Sequence, residues 1–250
     1  MKMKKFLLLL SLTFILSVSA VPMGHFDKVS NNWLVRNNFF TCTFLEGSMF
    51  PGEFVFSNGK TPGIILFRDT ATDGNKPYML REERWTNTKI IRNDEKSFII
   101  ERSGKFYRNN SPVITPLKGV DVTCRYEFKK DSPEVRIKFF YRKKADVSVK
   151  INSGIHLVWY FKNPFDRVLF KGKWEKFSLP AGKKFRAWDT KDKIVLEGKE
   201  ATISLQSPRV IAAVTPSETF PCSFNGGTWQ FLWKNGTAFE SEAVLTLKSK

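Results

Sequence analysis

Residues 121–144 read DVTCRYEFKKDSPEVRIKFFYRKK, and their spacing decides the fold class. Val122, Cys124, Tyr126 and Phe128 alternate with Asp121, Thr123, Arg125, Glu127 and Lys129. The alternation breaks at Asp131-Ser132-Pro133 and resumes with Val135, Ile137, Phe139 and Tyr141. Successive side chains of a strand point to opposite faces, so this period sets one apolar row against a core and one charged row in water. Two strands joined by a short polar turn are expected to pair as a hairpin.

The same period recurs outward in both directions. Apart from the first twenty residues, no window of a dozen has the 3.6-residue apolar spacing of a helix. Turn chemistry falls every eight to fifteen residues. Asn58-Gly59 lies between 53–56 and 63–67, and Asn235-Gly236 follows 228–234; Asn-Gly tolerates positive φ at both positions and is a strong hairpin signal. Trp229, Phe231 and Trp233 form one aromatic stripe, read as core. With 14% aromatic residues, two sheets have the bulk to pack face to face. The expected fold is all-β, a large antiparallel β-sandwich in one domain over residues 33–250, with 21–32 as a loosely held lead-in. No linker, low-complexity tract or fixed-period repeat divides it.

The first twenty residues, MKMKKFLLLLSLTFILSVSA, join a basic start (Lys2, Lys4, Lys5) to an apolar run and then to Ser19 and Ala20. This is the pattern of a secretory signal peptide cut after Ala20, and the apolar run is too short to cross a hydrocarbon core of about 30 Å comfortably. The mature chain is expected outside the cytoplasm, secreted or periplasmic, with no stable membrane span. Three cysteines, Cys42, Cys124 and Cys222, allow at most one internal disulfide and leave its choice open. The net charge is +17, and +14 once the three leader lysines are gone. Such a field favours anionic partners, and export argues against nucleic acid.

The strand ending in YEF, the turn DSPEV, and RIKFFYRKKADVSVKI running on into INSGIHLVWYF resemble the middle of the galactose mutarotase-like supersandwich, over about residues 120–215. That resemblance implies a large antiparallel β-sandwich of the kind used by aldose epimerases and as a module of glycoside hydrolases and polysaccharide lyases. The epimerase chemistry would imply two histidines and a carboxylate around the sugar ring. This chain holds only His25 and His156, and His25 falls in the lead-in, outside any strand the pattern supports. No catalytic set is therefore assigned.

Candidate ligand-binding residues come from strand parity. Between 162 and 199 there are eleven Lys and Arg against five Asp and Glu. There Trp174 shares a face with Lys176, while Lys184, Arg186 and Trp188 share another, opposite Phe185 and Ala187. An outward tryptophan beside cations suits an acidic sugar: the indole meets the apolar face of the ring, and the cations meet carboxylate or sulfate. A second face would combine Arg81, Glu83 and Trp85, with His156 in the apolar run IHLVWYF as a core histidine or a cleft residue. No phosphate loop, G-x-S-x-G elbow or histidine metal motif is present, so neither cofactor nor metal is expected. The resulting expectation is an exported, non-catalytic sandwich that binds carbohydrate, preferably anionic polysaccharide. The alternatives are a carbohydrate-active enzyme (hydrolase, lyase or epimerase) and a structural or assembly protein with a basic surface.

Overall fold

The computed structural model describes residues 21–250 without 62–63, 74–75, 80–86, 111–112, 160–164, 177–185, 191–192, 208–209, 216–221 and 234–235. The described residues form twenty-one strands and no helix. The opening hairpin forms as its pattern requires. β11 (Val120–Lys129) and β12 (Glu134–Lys143) pair antiparallel, with Cys124 opposite Phe139 and Phe128 opposite Val135. Both apolar rows are buried, while Lys129, Arg136 and Arg142 are exposed.

This hairpin lies inside a nine-stranded sheet. Its order is β15 (Lys173–Lys176), β14 (Arg167–Phe170), β17 (Ile194–Glu197), β18 (Ala201–Gln206), β21 (Ala238–Ser249), β12, β11, β8 (Ser97–Gly104) and β7 (Asn87–Asn93). An eight-stranded sheet runs β10 (Val113–Pro116), β9 (Tyr107–Asn110), β6 (Lys76–Met79), β5 (Ile64–Asp73), β13 (Val149–Trp159), β20 (Cys222–Trp233), β19 (Val210–Thr215) and β16 (Arg186–Thr190). A four-stranded sheet follows chain order: β1 (Gly24–Asp27), β2 (Asn32–Arg36), β3 (Phe40–Leu45) and β4 (Phe54–Phe56). Every described pairing is antiparallel.

The small sheet covers the β8–β11 end of the large one through aromatic contacts. Phe44 meets Tyr126 edge-on at 5.1 Å between centroids, Phe40 meets Phe128 at 6.4 Å, and Trp33 meets Phe98 at 5.7 Å. Each of the fully buried rings, Phe40, Phe44, Phe98, Tyr126 and Phe128, contributes about 1.5–3 kcal/mol through the apolar surface it removes from water. Tyr78 of β6 and Val149 of β13 are buried in the same core cluster, so the eight-stranded sheet shares it.

Three local expectations need correction. Residues 21–32 are built in: Met23 is buried, and β1 pairs with β2. His25, expected outside any strand, sits on β1 opposite Leu34. The polar composition concealed this strand because its backbone is held by an amide: Gly24 N donates to Asn93 Oδ1 and Asn93 Nδ2 donates to Gly24 O, each at 2.9 Å. Asn58-Gly59 does make a turn, with Gly59 at φ 81° and its N–H donating to Phe56 O at 2.8 Å. It closes no hairpin, however, since β4 pairs with β3 while β5 pairs with β6 and β13. Likewise Gly236, at φ 79°, lies where the chain leaves β20 in the eight-stranded sheet for β21 in the nine-stranded one. Turn chemistry specifies that the chain reverses, not which sheet it joins next.

Residues 1–20, with the expected leader and cleavage point, lie outside the described residues. Among those described, no helix is long and apolar enough to cross a membrane, and no group of three His, Cys, Asp or Glu side chains could hold a metal ion. Cys42 and Cys124 are buried.

Candidate functional site at the edge of the large sheet

β15 ends the nine-stranded sheet and joins β14 through Lys171 and Gly172, which lie between the facing residues Phe170 and Lys173. Both loop residues have positive φ, 48° and 75°, the geometry of a type I′ turn, whose twist matches that of the strands. Glycine adopts it freely. Lys171 pays about 1 kcal/mol or more for the left-handed conformation.

The hairpin has two unlike faces. Val168 points inward and is buried. Register sets Arg167 opposite Lys176 and Leu169 opposite Trp174, so these four share the other face. Trp174 keeps 43% of its surface exposed. The Arg167 guanidinium lies 4.3 Å from the centre of its ring, a cation–π contact that braces the indole. Arg167 Nη2 also donates to Glu197 Oε1 at 2.9 Å, and Lys250 Nζ donates to the same oxygen at 2.7 Å. These two hydrogen bonds, that of Lys250 first, hold the Glu197 carboxyl below its ordinary pKa. Glu197 is thus an acceptor shared by two cations. Lys176 is exposed on the same face as the ring, whereas Lys173, also exposed, faces Phe170 on the side of Val168, and exposed Lys171 lies with its Nζ over the Phe170 ring.

Of the residues singled out from sequence, Trp174 and Lys176 therefore lie together on this face. Arg186 and Trp188 are on β16, the terminal strand of the eight-stranded sheet, opposite Val214 and Ala212. The two halves of the basic segment thus end different sheets. Lys184 lies outside the described residues, as do Arg81, Glu83 and Trp85. His156 is placed on β13 between Leu66 of β5 and Asn225 of β20. Arg167 was not singled out by sequence, although it is the group that orients Trp174. Its signal was the two-residue parity with Leu169, which becomes legible only once the register of β14 against β15 is known.

A second concavity opens on the outer face of the large sheet, about 540 Å³ in volume, lined by Arg125, Lys138, Phe140, Glu240, Ser241 and Glu242. Its charges are largely matched. Arg125 pairs with Glu101 and lies 5.5 Å over Phe140, and Lys138 Nζ is 3.1 Å from Glu127. An anion gains less here than beside Trp174, where cations outnumber carboxylates.

No protein-family model and no curated protein sequence matches the chain. Solved structures match its fold. A galactose mutarotase related enzyme from Lactobacillus acidophilus superposes with a TM-score of 0.54 at 11% identity, covering 87% of this chain and 97% of that one. A GH36 alpha-galactosidase from Geobacillus stearothermophilus gives 0.59 at 10% identity, over 88% of this chain and 41% of that one. An alpha-mannosidase from Enterococcus faecalis V583 gives 0.60 at 8% identity, over 93% of this chain and 30% of that one. The two glycosidases thus match over less than half of their own length. At these identities the likeness shows the fold alone: the chain has the large antiparallel β-sandwich fold of the galactose mutarotase related enzyme.

Proposed function

We propose that this chain is an exported, non-catalytic carbohydrate-binding protein, and that it takes an anionic polysaccharide on the face of the β14–β15 hairpin. The observation that carries the reading is Trp174, 43% exposed and braced by Arg167 at 4.3 Å, with exposed Lys176 on the same face. A sugar ring stacks its apolar face on the exposed indole while carboxylate or sulfate groups meet Lys176 and Arg167 on the same face. The neighbours of the same fold are named for galactose and mannose chemistry, which supports a saccharide over other anionic polymers. Arg186 and Trp188, on the terminal strand of the other sheet, are the alternative candidates for the same ligand class.

The test is a glycan array probed with the mature protein at low and at physiological salt, followed by titration of the best acidic ligand. Trp174→Ala is expected to weaken binding by about 1–3 kcal/mol, as for an aromatic hot spot, with the fold intact. Lys176→Ala is expected to flatten the salt dependence. If Trp174→Ala binds like wild type and Trp188→Ala does not, the site belongs to β16. If neither matters, binding at these edges is wrong. Release of new reducing ends from the ligand would favour the enzyme reading.

A further inference from the structure

Arg102 is the largest fully buried side chain described, with none of its surface exposed. It stands on the inward face of β8, opposite Cys124 of β11, in a row otherwise formed by Phe98 and Ile100. Among the described residues, none hydrogen-bonds its Nε, Nη1 or Nη2. Its guanidinium lies 5.6 Å from the Phe44 ring, which offers one cation–π contact. Burial pulls its pKa below the ordinary value, yet arginine does not shed its proton in proteins. A buried cation without a counter-charge is among the costliest features a core can hold, and one ring face does not offset it.

Among the described residues, the polar groups packed around it supply no anion. The Tyr126 hydroxyl donates to Met49 O at 2.9 Å, and burial pushes its pKa well up, so the phenol stays neutral. Burial does the same to the Cys42 thiol. Glu46, which acts on the guanidinium at a distance, is exposed in the segment after β3.

We infer that Arg102 is the anchor of a buried site for a small monovalent anion of halide size, bound between the nine-stranded and four-stranded sheets. The fork of five N–H donors recognises it, and its charge offsets that of the buried guanidinium, which no described side chain hydrogen-bonds. The full burial of Arg102 excludes polyanions and sugar acids from this position, so the site is separate from the Trp174 face. The anion is a structural ligand, taken up as the four-stranded sheet closes over β8 and β11.

The test compares thermal midpoints of the purified protein in sodium chloride, bromide and gluconate at equal ionic strength, for wild type and Arg102→Met. Halide binding to the folded state alone should raise the wild-type midpoint saturably by at least about 2 °C over gluconate. Arg102→Met should lose that increment and should be more stable than wild type in gluconate, because an apolar side chain of similar length replaces an uncompensated charge. Bromide-soaked crystals of the wild type should show an anomalous peak at the guanidinium. Equal midpoints in all three salts, or the same halide increment in Arg102→Met, overturn the site, the second by showing a surface-charge effect. If Arg102→Met fails to fold, the crystal decides, and the absence of a bromide peak assigns the counter-charge to the chain itself.

Discussion

Gly24 shows how one residue ties the N-terminal sheet to the core. A Cβ placed on it would lie 2.2 Å from Cε2 of Phe98. Phe98 has little room to retreat, being buried against Trp33 at 5.7 Å and Phe128 at 6.2 Å. The glycine lets the backbone of β1 approach the ring while both of its peptide groups bond to the Asn93 amide. Gly24→Ala is therefore expected to destabilise the fold by about 1–3 kcal/mol, the range for overpacking a tight core. Urea unfolding followed by tryptophan fluorescence measures it. An unchanged midpoint would mean that the Phe98 ring yields without cost. Nothing in VPMGHFD marks this glycine as a contact residue, since the ring that requires it lies more than seventy positions away.

At the scale of one element, the β14–β15 hairpin holds a lysine in a conformation that asparagine tolerates better. Lys171 at φ 48° precedes Gly172 at φ 75°, where Asn-Gly is the favoured pair. Lys171→Asn is expected to stabilise the protein by up to about 1 kcal/mol, raising the thermal midpoint by roughly 2–4 °C for a chain of this size. Differential scanning calorimetry reads the shift. A lower midpoint would show that the contact of Lys171 Nζ with the Phe170 ring, at 5.2 Å, outweighs the backbone strain. Parity placed Trp174 and Lys176 on one face from sequence alone, because a two-residue period survives whatever the strand pairs with. The partner that orients the ring, Arg167, depends on register, which the period does not contain.

Over the whole molecule, surface carboxylates set the response to acid. Asp94 is held down to about 2, first by its hydrogen bond with Arg92 and then by the N–H groups of Lys96 and Ser97. The Ser30 hydroxyl, followed by the Val29 N–H, lowers Asp27, and Lys250 and Arg167 lower Glu197. Each folded pKa lies below the unfolded value near 4. The stabilisation is then complete above about pH 5 and is lost as pH falls through the folded values. Neutralising carboxylates also enlarges a charge that is already strongly positive, and the self-repulsion acts in the same direction. The thermal midpoint is expected to stay level from pH 7 to 5 and to fall between about pH 4 and 2. A fall that begins above pH 5 would show that groups other than these carboxylates set the response to acid.

What the sequence determined by itself is periodic and local. The alternation in 121–144 settles which side chains of β11 and β12 are buried, because strand geometry alone sends neighbouring residues to opposite faces. The all-β class and the likeness to the supersandwich follow from the same property repeated along the chain. Only the tertiary structure decided what lies next to what. Asn58-Gly59 makes a turn, as its chemistry requires, and Gly236 has a positive φ, but whether the chain returns to its own sheet or crosses to another depends on long-range pairing. The same holds for Arg102. In SFIIERSG its parity already points inward, yet an arginine in an apolar row reads as an exception until Phe44, Tyr126 and the four-stranded sheet close over it. Burial is a property of the assembled sheets, and a charge becomes costly only when distant segments take away its water.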